Sequence, residues 1–157
     1  ATFAAQNYGA KQYLRINQGL VRALLLSISW ALGFAIFLNV FHYYFTTAFI
    51  SASQTTVLHM SQQYYLVNGS MYWLLAILFV TRSTIQGLGN AKIPTICGFM
   101  EMISRIAVAI IGVALMNYMV VVTASPMAWI GSTVILIPTT IRLVKKNRSL
   151  SALTGEF

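Results

Sequence analysis

Arg82-Ser-Thr-Ile-Gln-Gly-Leu-Gly-Asn-Ala-Lys-Ile-Pro94 is the stretch from which the fold can be read. It is short, basic and glycine-punctuated, and it separates two long apolar runs. Gly87 and Gly89 permit positive φ, and Pro94 suits the first turn of a following helix. The stretch reads as a tight connector between two membrane helices, on the side that carries positive charge.

Composition supports that solvent. Apolar residues make up 58% of the 157 residues and charged residues 8%, where soluble domains carry about 25% charged. Mean hydropathy is +0.74, and the apolar residues come in runs of about twenty, the length that crosses a bilayer. The net charge of +8 does not indicate nucleic-acid binding. The basic residues form separate clusters at the ends of apolar runs, not one water-facing patch. Cys97 is the single cysteine, so no internal disulfide forms. Asn68-Gly69-Ser70 fits a glycosylation pattern but lies at the edge of a span. The chain opens without an initiator Met or a signal peptide and reads as a piece of something longer.

Working outward from the turn, spans are expected over about 23–45, 64–81, 94–116 and 120–143. Residues 1–8 read as the end of a preceding helix, with Gly9 as its C-cap. Residues 11–22 read as a short amphipathic surface helix, and 51–63 as a polar connector. Asn117-Tyr118 is a very short turn, and Ser125-Pro126 reads as an N-cap and first residue for the last span. Pro138 should bend that span. The fold class is therefore all-α, a single polytopic membrane domain over 1–157. Nine of the ten Lys and Arg residues fall in segments 9–22, 82–93 and the tail that begins at Arg142. The other two connectors hold none, so the positive-inside rule makes 9–22, 82–93 and 144–157 cytoplasmic.

No enzyme constellation is present. The chain has no Asp, and His42 and His59 lack a carboxylate or thiolate at ligand spacing. No cofactor or metal is expected. One feature stands out: Glu101 and Arg105 lie inside the third span. Ionisable groups there are costly and mark candidate functional sites. Four residues apart, they share a helix face and should pair. The pair either neutralises itself and sets helix packing, or serves proton or cation coupling or lines a polar cavity. Pairing lowers the carboxyl's use as a proton carrier. Two small-residue stripes, Ser27/Ala31/Ala35 and Ala124/Ala128/Ser132, suggest close helix packing. Gly98 and Gly112 suggest the same or a flexible point. Asn39, Asn68, Gln86 and Asn90 are amides near span ends, suited to satisfying backbone groups or to holding a substrate.

Ala1-Thr-Phe-Ala-Ala-Gln-Asn-Tyr-Gly-Ala-Lys11, with Arg15 and Arg22, resembles a helix end and cytoplasmic loop of multidrug and toxic compound extrusion (MATE) transporters. The Arg82–Pro94 stretch resembles a second-lobe loop of that family, and Glu101 and Arg105 the Glu and Arg of the helix after it. Ala124-Ser-Pro-Met-Ala-Trp129 and Leu136-Ile-Pro138 resemble its last helix. The family-like loop residues are Gln6, Asn7, Gly9, Arg82, Gln86, Gly87, Gly89 and Pro94. The resemblance implies the last four helices of the second lobe of a twelve-helix antiporter in the plasma (inner) membrane. Such an antiporter exports cationic amphipathic compounds in exchange for Na⁺ or H⁺. The implied partners are the bilayer, the missing first lobe and helices, and a cationic substrate. The family's usual coupling carboxylates match no residue here. The alternatives are a lipid-linked oligosaccharide flippase of related fold and a small structural or assembly subunit.

Overall fold

The computed structural model describes residues 1–154. Every element in them is helical: α1 (Thr2–Gly9), α2 (Tyr13–Thr47), α3 (Thr55–Gly69), α4 (Tyr72–Gly87), α5 (Lys92–Ala114), α6 (Tyr118–Val122) and α7 (Ala124–Thr154). Helices α2, α5 and the α6–α7 unit are each long and apolar enough to cross a membrane. The pair α3–α4 makes a fourth candidate, bent by 47° at its break. The chain has the all-α architecture of a polytopic membrane protein.

Helix α7 is the centre of the bundle and packs on α5, α4 and α2. Its meeting with α4 and α5 makes the core of Leu74, Leu78, Ile85, Cys97, Trp129 and Leu136. The small-residue stripe explains the close approach: Ala128 and Ser132 are fully buried. By contrast, only 6% of the apolar window of α2 is buried. Leu26 and Trp30 are each about three-quarters exposed. In water such a face is untenable; against lipid tails it carries no penalty.

Four expectations are revised. The amphipathic helix at 11–22 is not separate but forms the first turns of α2. No proline interrupts 13–47, so helical bonding continues, and at ~1.5 Å per residue the helix is about 52 Å long. That exceeds a hydrocarbon core of ~30 Å, and the basic turns extend beyond it. The polar connector at 51–63 is helical from Thr55, and Ser61 ties that helix to α2. The Thr46 and Ser61 hydroxyls are 2.6 Å apart. The span expected over 64–81 breaks at Ser70–Met71, where the Ser70 hydroxyl bonds the Val67 carbonyl. The tail from 144 continues α7 to Thr154; its buried Asn147 donates to Asn17 of α2 at 3.0 Å. The remainder of that segment, 155–157, lies outside the described residues.

Three helix ends share one closure. Helices α1, α4 and α5 finish with a left-handed residue: Lys11 (φ 56°), Gly89 (φ 82°) and Met116 (φ 48°). In each the next amide reaches back five residues: Gln12 to Asn7, Asn90 to Ile85, Asn117 to Gly112. These are Schellman closures. Gly9 and Gly87 are not the left-handed residues. Gly9 is the last residue of α1 itself. Gly87 is needed for space, since a Cβ there would lie 2.3 Å from the Ala1 carbonyl oxygen. The N-cap ahead of the last span is Asn117, whose Oδ1 accepts from the Met119 amide at 2.9 Å. Ser125-Pro126 instead lies in the first turn of α7.

Candidate functional site

The charged side chains inside the bundle converge on Glu101. Arg82, in the last turns of α4, places Nη1 3.1 Å from Glu101 Oε1. Its Nη2 donates to the Pro94 carbonyl at 2.8 Å. Ser132 of α7 donates from Oγ to Glu101 Oε1 at 2.9 Å, and the same hydroxyl lies 3.1 Å from the Cys97 carbonyl. Arg105 Nη2 is 3.9 Å from Glu101 Oε2. The Glu101 side chain is 14% exposed and that of Arg82 22%, while Arg105 is half exposed.

Local sequence accounts for the geometry. Pro94 is the third residue of α5, where a missing N–H costs nothing. Gly98 makes room for the guanidinium: a Cβ there would lie 2.8 Å from Arg82 Nη2. The bridge therefore needs Pro94, Gly98 and Glu101 on one face of α5, at i, i+4 and i+7 spacing. The carboxylate then receives Arg82 and Ser132 on one oxygen and faces Arg105 with the other.

The sequence expectation of a Glu101–Arg105 pair describes the longer of the two contacts. The shorter comes from Arg82, which reads in sequence as a loop anchor. Ser132 reads as a packing residue and does both. No local pattern could signal these pairings, since Arg82 and Ser132 are 19 and 31 residues from Glu101.

The other family-like residues lie elsewhere. Gln6 and Gln86 are exposed, and Asn7 is buried and donates to the Phe3 carbonyl at 2.8 Å. Asn90 Oδ1 accepts from the Ile93 amide at 3.4 Å. A second polar seam joins α2 to α3. Asn39 Nδ2 donates to the Ala35 carbonyl at 2.8 Å and to the Tyr65 carbonyl at 3.3 Å. Gly69 accommodates that amide, because a Cβ there would lie 2.6 Å from Nδ2. Asn68 donates to the Tyr64 carbonyl at 3.1 Å. His42 Nδ1 lies 2.7 Å from the Asn39 carbonyl. Among the described residues no group of three His, Cys, Asp or Glu could hold a metal.

Comparison with curated proteins and with solved structures gives no match. A family model described as MatE matches residues 1–111, a span that takes in Arg82, Pro94, Glu101 and Arg105. With more than two thirds of its length matched, and with helices fit to span a membrane, the chain belongs to the MatE family of membrane transporters.

Proposed function

We propose that this chain forms the last four helices of the second lobe of a MATE-type antiporter. The single observation that carries the reading is the family match over residues 1–111. The order of the motifs beyond it supports the same assignment: Ala124-Ser-Pro-Met-Ala-Trp129 and Leu136-Ile-Pro138 resemble that family's last helix. The antiporter exports cationic amphipathic compounds in exchange for Na⁺ or H⁺. Its substrate path lies between two lobes, so this chain acts with the helices that complete them. The basic end of the bundle faces the cytoplasm, in keeping with the charge distribution along the connectors.

In this reading Glu101 is a positioning residue and not a coupling carboxylate. Two arginines and a hydroxyl already satisfy it. It ties α4, α5 and α7 into one body that moves as a unit during alternating access. The test is ethidium accumulation in cells. Cells expressing the coding region with all in-frame upstream sequence should accumulate several-fold less dye than cells expressing the 157 residues alone. Equal accumulation in the two would sink the reading. Glu101→Gln in the longer protein should lower protein level while transport per molecule persists.

A further inference from the structure

A pocket of about 600 Å³ lies between the first turns of α3 and the turn that joins α5 to α6. One wall carries His59, Met60 and Gln63 of α3, and the other Met116, Asn117 and Met119. No residue of α1 lines it. Helix α1 packs at the other end of the bundle, where Ala1 lies against Gly87 and Phe3 against Gly19.

The lining gathers soft donors. Three of the seven methionines and one of the two histidines stand round this pocket. No Lys, Arg, Asp or Glu among the described residues lines it. Methionine is not among the His, Cys, Asp and Glu ligands whose clusters are absent from the described residues.

The backbone of the pocket is fixed. The Tyr118 hydroxyl donates to the Met60 carbonyl at 3.0 Å and ties one wall to the other. Asn117 Oδ1 accepts from the Met119 amide at 2.9 Å. The Asn117 amide donates to the Gly112 carbonyl at 3.0 Å, which holds Met116 in the left-handed region at φ 48°. Glycine takes that backbone freely, whereas a side chain there costs about 1 kcal/mol. A strained residue at a pocket directs attention to what its side chain does. The His59 imidazole makes no hydrogen bond among the described residues, so both of its nitrogens are open to a ligand.

We propose that this pocket binds one soft monovalent cation, copper(I) or silver(I), through the thioethers of Met60, Met116 and Met119 and an imidazole nitrogen of His59. Thioethers select such ions, whereas Mg²⁺ and Ca²⁺ want oxygen. All four donors are neutral, and burying charge without a counter-charge is costly, so a single positive charge is favoured over two. Methionine is unbranched and flexible, so its sulfurs swing onto a common centre while the backbone stays in place. In the proposed orientation the pocket opens on the non-cytoplasmic side, where thiols oxidise and thioethers form no disulfide. The site does not rest on the antiporter reading.

Silver(I) is the probe, since it needs no reductant. The full chain, labelled with carbon-13 at its methionine methyls, is titrated in detergent and chloride-free buffer. The signals of Met60, Met116 and Met119, assigned by substitution to Leu, should shift and saturate at one silver per chain. Those of Met71, Met100, Met102 and Met127 should stay. The same three should shift in C97A, which removes the one thiol. H59A should weaken binding about tenfold or more, no less than loss of a supporting residue does at a metal site. M116G relieves the left-handed strain, so it should melt higher and yet bind silver about tenfold or more weakly. Shifts spread over all seven methyls, or lost in C97A, would overturn the proposal. So would an affinity unchanged in H59A or M116G, or equal saturation by Zn²⁺, which means a site centred on imidazole alone.

Discussion

Glu101 is held by side chains from three helices, and the strength of each contact follows from its burial and distance. Arg82 and Glu101 are mostly buried at 3.1 Å. Removing one partner strands the other in low dielectric, a loss that approaches ~3 kcal/mol. Arg105, half exposed at 3.9 Å, is worth less than about 1 kcal/mol. R82Q and E101Q should therefore each lower the thermal midpoint in detergent much more than R105Q does. The double variant R82Q/E101Q should lose less than the sum of the singles. Additive losses would show that the pair is not coupled. Glycines differ by the same logic. Nothing lies within 4 Å of a Cβ at Gly33, whereas one at Gly112 would lie 2.6 Å from Val121 Cγ2 and 2.9 Å from its amide nitrogen. Gly33→Ala should stabilise by up to ~1 kcal/mol, and Gly112→Ala should destabilise, both read from thermal unfolding.

At the scale of elements, helix ends and breaks govern the shape. Lys11 and Met116 adopt left-handed backbone that suits glycine, at a cost of about 1 kcal/mol each. Met116→Gly should raise the thermal midpoint, while Gly89→Ala should lower it. Met116→Gly without effect would mean that the α5 closure carries no strain. The α2–α3 seam rests on Asn39, Thr46 and Ser61. Asn39→Leu removes the bond to the Tyr65 carbonyl and crowds Gly69. Amide exchange in α3 should speed up by an order of magnitude or more, while α5 is unaffected. These ends were only partly legible. Gly89 announces itself as a C-cap, but Lys11 and Met116 carry no such signal. Their conformation is imposed by the helices that must turn there. The break at 70–71 was hidden as well, because the apolar run of 64–81 continues straight through it.

At the scale of the molecule, α7 gathers α2, α4 and α5 around it and leaves the outer faces of α2 and α5 exposed. Cys97 is fully buried, so it stays silent toward maleimides. Cysteines placed at Asn90 and Ser53, both exposed, should then label from opposite sides of the membrane in intact cells. Asn90→Cys should be protected from an impermeant reagent and Ser53→Cys reactive; the reverse pattern would invert the proposed orientation. The sequence by itself determined that the chain is helical and membrane-spanning, and at which ends of its apolar runs the positive charge collects. Hydropathy and charge are local sums, and a run of twenty apolar residues has few alternatives in lipid. The tertiary structure alone decided which helix is central and that Arg82 and Ser132 meet Glu101. Those are relations between residues far apart in the chain, set by which small side chains let two helices approach and which large ones hold them apart.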